Sequence, residues 1–514
     1  MMQTEVLIVG AGPTGLVLAL WLSKCGVRVR IVDKSAEAGT TSRALAVQAR
    51  TLELYRQLEL ADDVVAKGHR VPATNLWIKG ERKARISLND MGKGLTPYPF
   101  MHIFPQDEHE KLLIAKLAAL GVSVERRTEL VSFVEQPNAI MARLRGPDGK
   151  EQDCEASYLA GCDGARSKAR EIIGTGFRGG TYRHVFYVAD VEAKGAALDG
   201  ELHIDLDQAD FVAIFPLAGE GRGRLIGTVR DERADRAETL TFNDVSSHAI
   251  GQMKVTIGKV NWFSTYHVHH RVTDHFRKGR AFLVGDAAHI HSPAGGQGMN
   301  TGIGDAINLA WKLAAVVKNR APAALLDSFE AERIGFARRL VASTDRVFTL
   351  ATSQGGLAAF VRTHLVPFVF PVIFKFEAVR RFAFRTVSQT MINYRGSPLS
   401  RGTAGRVQGG DRLPWVMVED GDNFTPLVTR DWQVHVYGAA KGELAADCEK
   451  HGLPLHVFGW RDEFAAAGLA RDALYLVRPD SYVALADAAG SSTSLDRYFA
   501  DLQIEPAARS GRAA

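Results

Sequence analysis

The stretch Val6-Leu7-Ile8-Val9-Gly10-Ala11-Gly12-Pro13-Thr14-Gly15 decides the fold. A short apolar run gives way to closely spaced glycines. Thr14 to Lys24 then continues with a mostly apolar helical pattern, and Val27 to Val32 is apolar again, which describes a strand, helix, strand unit. Glycine is required at such a junction because the turn is tight, the backbone must approach a pyrophosphate closely, and the helix must pack against the strand. The helix N-terminus adds free N–H groups and a positive dipole end, so Gly10, Gly12, Pro13, Thr14 and Gly15 are the expected contacts of a nucleotide. Asp33 lies 18 residues after Gly15, at the end of the next strand and beside Lys34, where an acid can accept hydrogen bonds from ribose hydroxyls. The turn by itself does not separate FAD from NAD.

At 514 residues the chain exceeds one ordinary core, and two or three domains are expected. Hydrophobic content of 46% and charged content of 24% describe a globular protein with a large interior. The net charge of +5 is spread along the chain without a dense basic block, which argues against a nucleic-acid partner. Cys25, Cys154, Cys162 and Cys448 are far apart and form no CxxC pair, so neither a zinc site nor a redox dithiol is indicated and a cytoplasmic location is expected. The strand beginning at Glu5 leaves no room for a signal peptide. Leu365 to Phe374, the longest later apolar stretch, is too short to span a bilayer and contains Pro367 and Pro371. It suits a buried or interface segment.

Beyond the first unit, Leu52 to Leu60 and Leu112 to Leu120 have helical spacing. Residues from about Tyr182 to Tyr266 alternate in the manner of an antiparallel sheet. Ala281 to Val284 returns as a buried strand, Gly304 to Val317 as a helix, and long helices are expected over Leu325 to Phe384. Past a Gly- and Arg-rich connection at Arg401 to Pro414, four short strands follow within a separate small α/β unit: Val434 to Tyr437, Leu455 to Phe458, Leu474 to Val477 and Tyr482 to Leu485.

Two distant segments add to the first. One is Gly161-Cys162-Asp163-Gly164-Ala165-Arg166-Ser167, with Arg170 close behind. The other runs from Gly279-Arg280-Ala281-Phe282-Leu283-Val284-Gly285-Asp286 to His289, and continues through Pro293, Gly295, Gly296, Gln297, Gly298, Met299 and Asn300. With these three motifs in order, the chain from Glu5 to about Ser400 resembles the single-component, FAD-dependent aromatic hydroxylases with the para-hydroxybenzoate hydroxylase fold. The resemblance implies that the first motif holds the ADP half of FAD, that Asp163, Gly164 and Arg166 serve both FAD and NAD(P)H, and that Gly285 and Asp286 hold the ribityl chain. Arg43, in Ser42-Arg43-Ala44, and Gln106 stand at flavin-contacting positions of that family. Asp33 replaces the glutamate of many relatives, keeping the hydrogen-bonding role with a shorter reach.

The residues support the same picture. Asp286 ends a buried strand, so its carboxylate is expected to be poorly solvated unless polyol hydroxyls or backbone donors satisfy it. The run from Gly295 to Gly304 is dense in glycine and opens a helix, placing Gly298, Met299 and Asn300 where N–H groups can face a flat ligand. A helix N-terminus at the flavin pyrimidine edge stabilises the negative charge of reduced flavin.

The segment from about Gly409 onward resembles the thioredoxin-like C-terminal domain of phenol and polyketide hydroxylases, most recognisably in Arg478-Pro479-Asp480-Ser481-Tyr482-Val483-Ala484. Lacking CxxC, it is expected to serve structure or oligomerisation, with a homodimer as the default assembly. The expected architecture is α/β, α+β overall. It comprises a discontinuous Rossmann-like FAD-binding domain with helical extension over 1–180 and 272–400, an antiparallel substrate domain over 181–271, and the thioredoxin-like unit over 401–514.

The chemistry implied by the resemblance is hydroxylation of an aromatic, phenolic molecule. Hydride passes from NADPH or NADH to FAD, O2 adds at the flavin C4a, and the hydroperoxide delivers one oxygen atom to the ring. No second glycine-rich fold is present, so NAD(P)H is expected in a transient groove, with Arg43 and Arg166 receiving its phosphates. Phe211, Phe215 and Pro216 are candidate substrate walls, and Pro293 is expected near the flavin face. His289 and His291 flank the flavin turn and suit either proton transfer or a structural hydrogen bond. His267, His269 and His270 lack a nearby acidic cluster, and no metal is expected. Alternatives within the fold are Baeyer–Villiger chemistry or epoxidation; the absence of a WxW pair disfavours halogenation. A non-catalytic FAD-fold binding protein is the alternative outside enzymes.

Overall fold

A computed structural model describes residues 2–39, 44–205, 211–229, 240–245, 247–292, 294–352, 361, 365–419 and 421–506. Arg43 and Pro293 lie outside the described residues. The strand β1 (Met2–Val9), helix α1 (Pro13–Lys24) and strand β2 (Val29–Asp33) form the expected opening unit. β1 is central in an eight-stranded sheet and pairs in parallel with β2 on one side and with the strand Glu151–Gly161 on the other. Ala281–Leu283 pairs in parallel with the end of Glu151–Gly161. The three motifs therefore follow the C-terminal ends of three adjacent parallel strands, where ligands of open α/β sheets bind.

A second eight-stranded sheet is built around the long antiparallel strands Phe177–Gly195 and Val255–Thr273. It is not confined to 181–271. Ala73–Ile78 and Glu81–Ser87 complete its far edge through parallel pairing of Leu202–Asp205 with Ala73–Ile78. Local spacing assigned these residues to the first domain; the partner strand that claims them lies more than a hundred residues away.

Helix α2 (Gly298–Val317) covers α1, and helix α3 (Asp327–Thr352) follows. The expected long helical stretch is divided. After α3 come the shorter helices α4 (Val366–Ile373) and α5 (Glu377–Val387). Pro367 lies in the first turn of α4, where its missing N–H costs nothing, and Pro371 lies inside the helix.

The C-terminal unit holds a six-stranded sheet containing Gln433–Tyr437, Leu455–Phe458, Leu474–Val477 and Val483–Asp487. Its seam with the rest is a buried ion cluster. The Arg478 guanidinium donates to both Glu332 carboxylate oxygens at 2.6 and 3.0 Å and to Asp480 at 2.9 and 2.7 Å. Lys312 donates to Glu332 at 2.8 Å, and the side chains of Arg478, Glu332 and Lys312 are wholly inaccessible. Burial alone would raise the Glu332 carboxyl, but Arg478 and Lys312 overcome it and hold the group far below the usual carboxylate range. Apolar packing crosses the same seam, with Trp311 edge-on to Trp432 at 5.6 Å.

Candidate active site

The glycines of the first motif have separate jobs. Gly10 has φ +105°, and a Cβ there would stand 2.3 Å from the Cys162 carbonyl oxygen; one on Gly15 would stand 2.0 Å from the Gly10 carbonyl oxygen. Both are fixed by packing. A Cβ on Gly12 would meet nothing within 4 Å, because Gly12, Pro13 and Thr14 face a cavity of about 750 Å³. Gly12 is thus the position left bare for a ligand, at the open N-terminus of α1. Asp33 accepts from the Ala11 N–H at 2.7 Å and the Ser35 N–H at 2.7 Å, which braces the turn, and it stands outside the cavity lining. Lys34 is exposed and outside the cavity lining.

In the second motif Asp163 acts on the protein itself. It accepts from Ser167 Oγ at 2.5 Å and from the Ala169 N–H at 3.0 Å, and so braces Ser167, whose Oγ caps the short helix that follows by accepting from the Arg170 N–H at 3.0 Å. Gly164 (φ +77°) and Ala165 reach the cavity, whereas Arg166 is exposed and outside its lining. Arg170 donates to the carbonyls of Ala165 and Ala287 at 2.8 and 2.9 Å, tying the second motif to the third.

The third motif corrects one expectation. Asp286 is exposed and forms part of the cavity wall, because Gly285 (φ +62°) starts a 3-10 turn that swings the next side chain out of the buried line of the strand. The buried acid is Asp305, on α2, a residue no local pattern marked. Its carboxylate accepts from the Gly285 N–H at 3.1 Å, His289 Nε2 at 2.7 Å and Arg333 Nε at 2.5 Å. Burial pushes the Asp305 carboxyl up, but Arg333 and His289 outweigh it and leave the group below its ordinary range.

This cluster also separates the two histidines. His289 is spent on Asp305, stacks on Phe276 at 5.8 Å, and does not line the cavity. His291 does line it. Its Nδ1 lies 2.8 Å from the Ser292 carbonyl, which only accepts, so the proton sits on Nδ1. Nε2 is buried with no hydrogen-bond partner among the described residues, so it offers a lone pair. Burial, then neighbouring His289, lowers the His291 pKa to about 4, and the ring is neutral near pH 7.

Of the helix-opening residues, Gly298 and Met299 face the cavity. The Asn300 side chain does not. It accepts from the Gln48 N–H and Thr51 Oγ1 at 2.8 Å each and donates to the carbonyls of Ala46 and Gly296 at 2.9 and 2.8 Å. Its amide is saturated as a clamp on residues 46–51, so only its main chain is available to a ligand. Gln106 lines the cavity, accepts from the Ala44 N–H at 3.3 Å and donates to Glu110 at 2.9 Å. Both flanking contacts fix its amide.

The opposite wall comes from the middle sheet. Phe186, Phe211, Phe215, Ile226 and Tyr266 line the same cavity. His267 and His269, two residues apart on one strand, share this lining. Among the described residues no group of three or more His, Cys, Asp or Glu side chains is arranged to hold a metal. Arg224, which no motif marked, joins the two halves: its inaccessible guanidinium pairs with Asp190 at 2.5 and 2.7 Å and reaches the Ala44 carbonyl at 3.4 Å.

The profile of the FAD binding domain family matches residues 3–344. The chain is 36% identical over 414 residues to 6-methylpretetramide 4-monooxygenase of Streptomyces rimosus, covering 79% of this chain and 72% of that protein. It is 31% identical over 505 residues to a flavin-dependent monooxygenase of Mycobacteroides abscessus, covering 94% and 97%. Among solved structures, anhydrotetracycline hydroxylase of Streptomyces rimosus superposes with a TM-score of 0.79 at 26% identity, covering 98% of this chain and all of that one.

Proposed function

Because the chain belongs to the FAD binding domain family, we propose that it is an FAD-dependent monooxygenase that takes electrons from transiently bound NADPH or NADH and hydroxylates a phenolic, fused-ring substrate with O2. The observation that carries the reading is the single cavity in which bare backbone from the glycine motifs faces an aromatic wall from the middle sheet. The relatives named for 6-methylpretetramide and anhydrotetracycline support a substrate of that kind.

The residues fit the cofactor. The N-termini of α1 and α2 open into one space, Gly12 leaves its approach free of any side chain, and Asp286 stands on the wall between them. Gly12, Pro13 and Thr14 would hold the pyrophosphate, Asp33 the ribose, Asp286 the ribityl hydroxyls, and the first-turn N–H groups of Gly298 and Met299 the ring edge. FAD, when bound, supplies hydride uptake and oxygen transfer to an electron-rich ring. The chain's own part is to orient the substrate against Phe211 and Phe215, exclude water from the apolar half of the cavity, and receive a hydrogen bond. His291 is the group we assign to that last task. Its unprotonated Nε2 accepts from a substrate hydroxyl and draws the O–H bond toward itself, which enriches the ring in electron density. Exposed Lys34 and Arg166 supply positive charge outside the lining for the donor's phosphates. A cytoplasmic location accords with such a donor.

The test is direct. The purified protein should carry the absorbance of bound FAD, and its oxidation of NADPH or NADH should rise severalfold with simple phenols, hydroxybenzoates or anhydrotetracycline-like compounds. The product should contain one atom from labelled O2 in a new ring hydroxyl. A labelled lactone or epoxide would replace hydroxylation by the alternative oxygenations, and a chain that takes up no FAD would overturn the proposal.

A further inference from the structure

Among the described residues, most large apolar side chains left in water belong to residues 361–391. The α4–α5 hairpin has two sides. Phe384 is buried against Met91 and Ala49, and Phe374 packs on the same cluster, fixing the hairpin to the body of the protein. The other side faces out. Phe368 is 66% exposed, Phe376 and Phe382 63% each, and Val372 53%. Exposed aromatic and aliphatic side chains gathered in so short a stretch mark a surface that leaves water in use.

The charges on the hairpin identify what covers it. Between Leu365 and Met391 the chain carries Lys375, Arg380, Arg381 and Arg385 against the one acid Glu377. Arg380 caps the end of α4 through the Phe374 and Lys375 carbonyls at 3.0 and 2.9 Å, and Arg381 reaches Glu377 only at 3.4 Å. Two copies meeting through this face would set the same cations against each other, since a twofold contact pairs each patch with itself. An anionic lipid surface satisfies both halves of the pattern, as aromatic and aliphatic side chains enter the acyl boundary while Lys and Arg meet the headgroups. No helix among the described residues is long and apolar enough to cross a membrane, so the contact is one of lying on the surface.

We propose that the α4–α5 hairpin docks on an anionic lipid bilayer, with Phe368, Phe376 and Phe382 inserted and Lys375 and Arg381 at the headgroups. The face ends at Val387, which is exposed and also lines the active cavity, and whose carbonyl accepts from Gln297 at 2.8 Å. Docking therefore sets one wall of the cavity against the phase in which apolar fused-ring compounds concentrate. This orientation rests on the functional reading above; the docking itself does not.

The full-length, flavin-loaded protein is sedimented with vesicles of phosphatidylcholine alone and of phosphatidylcholine mixed with phosphatidylglycerol. Partitioning should be roughly tenfold stronger onto the anionic vesicles and weaken with salt. It should fall about tenfold or more in F368S/F376S/F382S and by a smaller factor in K375E/R381E. Flavin absorbance and thermal midpoint report that these variants are folded, and F376W gives a readout in an otherwise intact chain: its emission should be quenched by brominated lipid. The proposal falls if neither vesicle binds the protein, if the triple variant sediments as well as the parent, if F376W is not quenched, or if light scattering shows a dimer that the triple variant dissociates, which would assign the face to a second copy.

Discussion

Asp305 and His289, sixteen residues apart and each 1% exposed, are joined by a 2.7 Å hydrogen bond beneath the turn that presents Asp286 to the cavity. The same carboxylate holds the Gly285 N–H and the Arg333 guanidinium, so one buried acid on α2 fixes the third motif from below.

Replacing Asp305 with alanine strands Arg333 in the interior, and loss of one partner of a buried pair costs about 3–5 kcal/mol. D305A should show that loss in chemical denaturation together with weakened FAD retention. Since the Asp305 carboxyl is depressed in the folded state, its stabilisation is complete above the ordinary Asp range near 3.8 and drains away as pH falls below it, an acid limb that D305A should lack.

The glycines of the first motif should separate under substitution. G12A should fold with an unchanged apo thermal midpoint while its FAD dissociation constant, followed by flavin fluorescence, rises about tenfold, equivalent to ~1.4 kcal/mol. G15A should instead lose stability outright, because its Cβ would stand 2.0 Å from the Gly10 carbonyl oxygen.

His291 provides a pH signature. Its ring ionises near pH 4 in the folded chain against an ordinary 6.5, so stability is full above 6.5 and declines as pH falls toward 4. Over that window the decline is bounded by about 3 kcal/mol, at 1.36 kcal/mol per pKa unit. H291Q should flatten this segment of the stability curve relative to the parent. The same variant should lower kcat for a phenolic substrate while leaving FAD absorbance in place.

Removing the aromatic wall should affect substrate more than fold. Phe215 is half-buried at the cavity face, so F215A should cost less than the roughly 3–5 kcal/mol of a core Phe→Ala. It should raise KM about tenfold and increase the fraction of consumed NAD(P)H recovered as H2O2, because water enters the reaction space.

At the seam, E332Q weakens the pairing of Arg478 and Lys312 in a region without solvent. Unfolding followed by tryptophan fluorescence should shift by several kcal/mol, on the order of 3. The C-terminal unit and the flavin-type domain should melt together, since Trp311 and Trp432 pack across their contact.

What the sequence determined by itself is whatever neighbouring residues dictate. The run Val6 to Gly15 contains its strand, its turn and its helix start, because tight turns and helix N-termini depend on residues a few positions apart. Its resemblance, together with Gly161 to Ser167 and Gly279 to Asn300, pointed to the flavin-binding fold and to most of the cavity's backbone.

Tertiary structure alone decided which polar side chains face the cavity. Asp163 and Asn300 look like ligand contacts in a linear reading, but one braces the start of a helix and the other clamps residues 46–51. His289 and His291 differ by two positions and were indistinguishable until Asp305 claimed the first and left the second facing the cavity. The hairpin of Ala73–Ile78 and Glu81–Ser87 likewise found its sheet only through a strand beginning at Leu202. The physical reason is common to all of these: a buried donor or acceptor must be satisfied, and the partner that satisfies it is chosen by three-dimensional proximity, which spacing along the chain does not encode.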